Sequence, residues 1–252
     1  MILCDRRQRG AEDHSTSAPW AKKALHALCV LLLLTLFAAC STGNTGPRAV
    51  GSPAARVSPT PTIPIVPAGT LLFRADWSHG LSAWGSPRGW KIVHGMALSD
   101  LSTDDALTVP YIPTVHNYVI ECRFQIVSVP RTGGSFIIRA PHQPGMDGYT
   151  AGILSLYAPG ARTSPYGNPE ALIYLDPLGD MQARAAPIDY DPGYNWHIYR
   201  VQIKGPAGDL FIDGADSSTA VSEQDDWLSN GPLRLMSSLA VVRVSSVTIT
   251  AL

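Results

Sequence analysis

The sequence predicts an all-β domain built as a two-sheet antiparallel β-sandwich over residues 70 to 252, and three observations carry that expectation. Glycine and proline cut this stretch into short segments, apolar residues between them recur at every second position, and no amphipathic helical pattern competes. A strand with one apolar face must cover that face. Long alternating strands therefore pack as two sheets.

In chain order the expected strands are 71 to 74, 90 to 98, 106 to 109, 117 to 127, 134 to 140, 149 to 157, 170 to 175, 181 to 185, 196 to 204, 208 to 213, 232 to 236 and 240 to 250. The alternation is clearest over 118 to 126. Tyr118, Ile120, Cys122, Phe124 and Ile126 share one side there, and Val119, Glu121, Arg123 and Gln125 share the other. Over 196 to 203 the face with His197, Tyr199, Val201 and Ile203 reads as buried, which leaves Arg200 and Gln202 outside.

The N-terminal part is of another kind. Residues 24 to 39 form a largely apolar run behind Lys22 and Lys23 and end in Ala38-Ala39-Cys40-Ser41. The run is shorter than the roughly 20 residues that cross a bilayer, but it suits the core of a signal peptide, 1 to 39. Small residues before the cysteine resemble a lipobox, which makes Cys40 the expected lipidation site and the membrane a partner through that lipid. Two or more chains at Cys40 anchor stably where one binds marginally. Residues 41 to 69 hold six prolines and no acidic or aromatic residue, so 40 to 69 reads as the lipidated Cys followed by a Pro-rich, extended tether. The expected location is the extracytoplasmic face of a bacterial membrane.

The formal net charge is −1, and no Lys/Arg cluster follows the leader, so no nucleic-acid partner is expected. Cys122 is the one cysteine of the domain. Its place among Tyr118, Ile120 and Phe124 makes it a core thiol.

Two phrases, Leu72 to Trp84 with Phe73, Asp76, Trp77, Gly80 and Leu81, and Trp90 to Leu98 with Val93 and Gly95, resemble the opening of concanavalin A-like (laminin-G-like) jelly rolls of bacterial lipoproteins. The resemblance continues through Tyr118 to Phe124, Gly134 to Arg139, Gly148 to Gly152, Trp196 to Ile203, Asp209 to Gly214 and a last strand from Val241. It spans 70 to 252 and implies the jelly-roll form of the sandwich. It also extends to family 16 glycoside hydrolase-like and 3-keto-disaccharide hydrolase-like domains, so saccharide hydrolysis is an alternative to binding.

The chemistry of family 16 needs paired carboxylates, in retaining enzymes about 5 to 5.5 Å apart, carried on a Glu-x-Asp-x-x-Glu strand. The domain has only Glu121, Glu170 and Glu223, and none shares a strand with a second acid at that spacing. Arg123 is expected to pair with Glu121. A catalytic pair would have to join separate strands, for example Glu121 or Glu170 with a loop Asp. His79, His94, His116, His142 and His197 are scattered singly, so no metal site is expected. The fold family tolerates a structural Ca²⁺, yet no ligand spacing predicts one, and no cofactor is expected.

Carbohydrate sites combine a flat aromatic ring with planar polar groups. The stretch from 139 to 196 is rich in both, and Arg139, Tyr149, Tyr174 and Trp196 are the candidate ligand-binding residues, with the loop 158 to 169 as a rim. Arg139 stands out because it ends an apolar strand, where a charge must pair or face a groove. The leading expectation is a lipid-anchored module that binds polysaccharide or another glycan without catalysis. The alternatives are a saccharide hydrolase and a structural or protein-interaction module of the envelope.

Overall fold

The computed structural model describes residues 66 to 252, apart from Ser86 and the segments 103–104, 159–166, 177–182 and 185–187. The signal segment, Cys40, most of the tether and most of the expected rim lie outside the described residues. Among those residues, the strands are β1 (Leu71–Arg74), β2 (Trp90–Val93), β3 (Met96–Ser99), β4 (Asp105–Thr108), β5 (Tyr118–Ser128), β6 (Gly134–Ala140), β7 (Gly148–Leu156) and β8 (Glu170–Asp176). There follow β9 (Ala183–Arg184), β10 (Ile188–Asp189), β11 (Trp196–Lys204), β12 (Ala207–Ile212), β13 (Ala215–Val221), β14 (Arg234–Ser238) and β15 (Val241–Ala251).

They form two antiparallel sheets. The first runs β13-β12-β11-β5-β15-β3-β2, with β1 also on β15, and the second runs β10-β8-β7-β6-β14-β4, with β9 also on β8. The expected strand 90 to 98 is a hairpin, because His94 and Gly95 both take positive φ (51° and 70°), the conformation of a two-residue turn. Strand β13 was not expected: Ala-Asp-Ser-Ser-Thr-Ala-Val has few residues of high β propensity, and the Asp213-Gly214 turn folds it onto β12.

The core forms where the inner faces meet. Tyr118, Ile120, Cys122, Phe124 and Ile126 of β5 are buried, as are Tyr199, Val201 and Ile203 of β11. Phe124 lies 4.0 Å from Tyr199 and 5.1 Å from Phe136 of the opposite sheet, ring centre to ring centre. The Tyr199 hydroxyl donates to the Phe136 carbonyl at 3.1 Å, so the ring that fills the core also finds a polar partner there. Burial raises the Cys122 thiol pKa, which suits a core thiol.

An aromatic group that is part of the core explains the opening phrase of the domain. Trp77 and Trp84 stack at 4.7 Å, Phe73 meets Trp84 edge-on at 6.0 Å, and Trp77 Nε1 donates to the Ser245 carbonyl at 2.9 Å. No helix among the described residues is long and apolar enough to cross a membrane.

Gly152 of β7 shows how closely the second sheet is built. A Cβ there would stand 2.4 Å from the Phe136 carbonyl oxygen and 2.8 Å from the Ile137 Cα, both backbone atoms that cannot yield. We predict that Gly152→Ala lowers unfolding free energy in urea by about 2–3 kcal/mol or more. An unchanged midpoint would mean that β6 and β7 lie further apart than described.

Candidate functional site

Directly opposed residues of an antiparallel pair point to the same face, so register decides which side chains can act together. On the second sheet Thr108, Arg234, Arg139, Thr150 and Tyr174 stand opposite one another in a single row across β4, β14, β6, β7 and β8. Their chain neighbours Leu107, Leu235, Ile138, Ala151 and Leu175 are buried in the core. The row therefore lies on the face turned away from the core, where Thr150 is itself buried, only 1% exposed. Asp176, two residues beyond Tyr174, shares that face.

Arg139 Nη2 donates to Asp176 Oδ2 at 2.7 Å. The Asp176 side chain is only 3% exposed while that of Arg139 is 36% exposed, so this ion pair reaches from the sheet surface into a protected position. Two of its polar atoms, Arg139 Nε and Asp176 Oδ1, are buried and have no hydrogen-bond partner among the described residues. Such unmet polar valences in a protected charge pair are uncommon and call for an explanation.

The four sequence candidates do not form one site. Arg139 and Tyr174 fall on the row. Tyr149 does not: it is fully buried, and its hydroxyl lies 2.9 Å from that of Tyr118, which donates to the Ser229 carbonyl at 2.7 Å. The single Tyr118 proton is thereby spoken for, so Tyr149 is the donor between them. Its ring fills the core and presents no face to a sugar, because β7 turns position 149 inward and position 150 outward. Trp196 is on the first sheet. It faces outward opposite Gln125, and the Arg123 guanidinium lies 4.3 Å above its ring centre.

The expected Glu121–Arg123 pairing is also replaced. Glu121 Oε1 accepts from Arg200 Nη1 at 2.8 Å across the β5–β11 register, which puts these two residues directly opposite. Cross-strand proximity wins over spacing along one strand.

Asp176, Arg234 and Thr150 were not singled out as ligand contacts from sequence. The alternation along β8 links position 176 to 174, but only the strand register joins them to Arg139 and Arg234. A further pair comes from the same source: Asp189 of β10 stands opposite Glu170 of β8, on the face that carries Tyr174.

At the neighbouring end of β11, His197 braces the 190–195 loop. Its Nε2 donates to the Pro192 carbonyl at 2.8 Å, and its Nδ1 lies 2.6 Å from Asp213 Oδ2 and 3.0 Å from the Tyr190 hydroxyl. Burial first, then the Asp213 and Asp191 carboxylates, push the Tyr190 phenol up to about 12. Among the described residues no three His, Cys, Asp or Glu side chains gather as a metal-ligand group.

The fold is a concanavalin A-like jelly roll, as its neighbours among solved structures show. The carbohydrate-binding module CBM66 from Bacillus subtilis is 11% identical, with a TM-score of 0.50, over 68% of this chain and 97% of that one. SCLam, a non-specific endo-β-1,3(4)-glucanase from family GH16, is 11% identical, with a TM-score of 0.52, over 75% and 94%. A protein of unknown function with a galectin-like fold from Bacillus subtilis is 11% identical, with a TM-score of 0.55, over 73% and 97%. No protein-family model matches the sequence, and no curated protein matches it.

Removing one partner of a buried pair costs about 3–5 kcal/mol, and the partial exposure of Arg139 reduces that. Arg139→Gln is predicted to destabilise the domain by about 2 kcal/mol, and adding Asp176→Asn to recover part of the loss, both measured by urea unfolding at neutral pH. Full additivity of the two substitutions would show that the pair carries no coupling.

Proposed function

We propose that the chain is an envelope lipoprotein whose jelly roll binds carbohydrate, without cleaving it, on the outer face of the second sheet. The observation that carries this reading is the protected Arg139–Asp176 pair, two of whose polar atoms have no partner among the described residues, set beside Tyr174 in one row with Arg234. Vicinal hydroxyls of a pyranose both donate and accept, so they match an arginine and a carboxylate held side by side. The C–H face of the same ring suits the flat surface of Tyr174.

The likeness to a carbohydrate-binding module, a glucanase and a galectin-like protein supports the fold that presents such a face. Fold alone does not assign an activity. The residues of the row do that work in this reading.

Attachment through Cys40 belongs to the same proposal and rests on the charged, apolar and small-residue pattern of 22 to 41. It places the jelly roll beyond a Pro-rich spacer, facing the material outside the cell. In cells fed radiolabelled palmitate, the chain is expected to take up label and Cys40→Ser to take up none. Equal label in both would remove the anchor.

One observation favours the hydrolytic alternative. The opposition of Glu170 and Asp189 joins two carboxyl groups from separate strands on the face of the row. Both readings are tested in one experiment, with the soluble Cys40→Ser chain, lacking the leader, applied to a panel of neutral polysaccharides. Saturable retention is expected without released sugar, and Tyr174→Ala or Arg234→Ala should weaken it roughly tenfold, equivalent to about 1.4 kcal/mol. Sugar release that Glu170→Gln abolishes would establish hydrolysis instead, and absence of retention and release would leave an envelope interaction module.

A further inference from the structure

The first sheet has an outer face of different chemistry, which the proposed function does not use. Trp196 of β11 stands opposite Gln125 of β5, and Gln125 opposite Arg243 of β15; Arg123 lies two residues from Gln125 on the same face. The two arginines are held by neutral groups. Arg123 lies over the Trp196 ring and donates from Nη1 to Ser245 Oγ at 3.3 Å. Arg243 Nη1 donates to Gln125 Oε1 at 3.3 Å, and Gln125 Nε2 in turn donates to the Tyr194 carbonyl at 2.9 Å.

Neither guanidinium belongs to an ion pair among the described residues. The nearby acids are engaged elsewhere. Glu121 pairs with Arg200, and Asp213 contacts His197. Lys91 stands two strands beyond Arg243, across Leu98. The Asp100 carboxyl is held below its usual range first by the Ser102 hydroxyl and least by the charge of Lys91.

We infer that this face is an oxyanion-binding surface for an acidic polysaccharide, with Arg123 and Arg243 as its contacts. Two guanidiniums on adjacent strands, restrained by a ring and an amide rather than by carboxylates, keep their charge and their forked donors for a ligand. Little side-chain freedom is left to lose on binding. Trp196 acts as the support: with Arg123 over its ring, that ring surface is taken by the cation and does not stack on a sugar. The surface therefore reads charge, whereas the row on the second sheet reads hydroxyls. Membrane-binding segments rely on clusters of about four to eight basic residues. Two arginines fit a single carboxylate or sulfate along a polymer better than a lipid surface.

The test uses the soluble Cys40→Ser chain in affinity electrophoresis with polygalacturonate, dextran and phosphatidylglycerol vesicles as separate probes. Polygalacturonate is expected to retard the chain, several-fold less when salt rises from about 0.05 M to about 0.5 M. Arg123→Gln with Arg243→Gln should abolish that retardation while Tyr174→Ala leaves it in place, which separates this surface from the row on the second sheet. Retardation by dextran as strong as by polygalacturonate, persistence in the folded double variant, or binding to the vesicles alone would overturn the inference.

Discussion

Phe124, Phe136 and Tyr199 hold the two sheets in their relative positions. Phe124 and Tyr199 come from adjacent strands of one sheet and Phe136 from the other, with ring centres 4.0 to 5.5 Å apart. Close-packed rings cannot slide past one another without opening a void, so they set which residues of β5, β6 and β11 face inward. Everything at the surface inherits that choice. With Phe136 and Ile138 turned to the core, Arg139 must point outward, and with Tyr199 turned inward, Trp196 and Arg200 must point away from it.

The sandwich thus displays two unlike surfaces. One carries a protected arginine–aspartate pair in a row with a tyrosine and a second arginine. The other carries two arginines without carboxylate partners among the described residues, one of them seated on a tryptophan. Between them, at one end, His197 ties Pro192, Asp213 and Tyr190 together and keeps the loop before β11 against the core. A rigid frame of this kind lets side chains wait in place for a ligand instead of being ordered by it.

Much of the frame was legible in the sequence because burial writes itself as alternation. Residues 118 to 126 and 196 to 203 show it, and the structure buries the faces that the pattern named except at His197, which is only partly buried at the end of β11. Strand β13 was illegible since its serines, threonine and aspartate carry no apolar pattern, although Ser217 and Ser218 are buried. The site was harder to read for a different reason. Residue types near 139 to 196 suggested sugar chemistry, but whether two of them meet depends on register between strands far apart in the chain. Arg139 and Asp176 are brought together in that way. Tyr149 and Trp196 are separated from them by the pleat of β7 and by the division into sheets.

The most direct test of the glycan reading is a two-dimensional amide NMR titration of the soluble chain with an oligosaccharide taken from whichever neutral polysaccharide retains it. Shifts are expected to concentrate on β6, β7, β8 and β14, centred on Arg139, Tyr174 and Arg234. Shifts confined to the first sheet, or scattered without a centre, would contradict it.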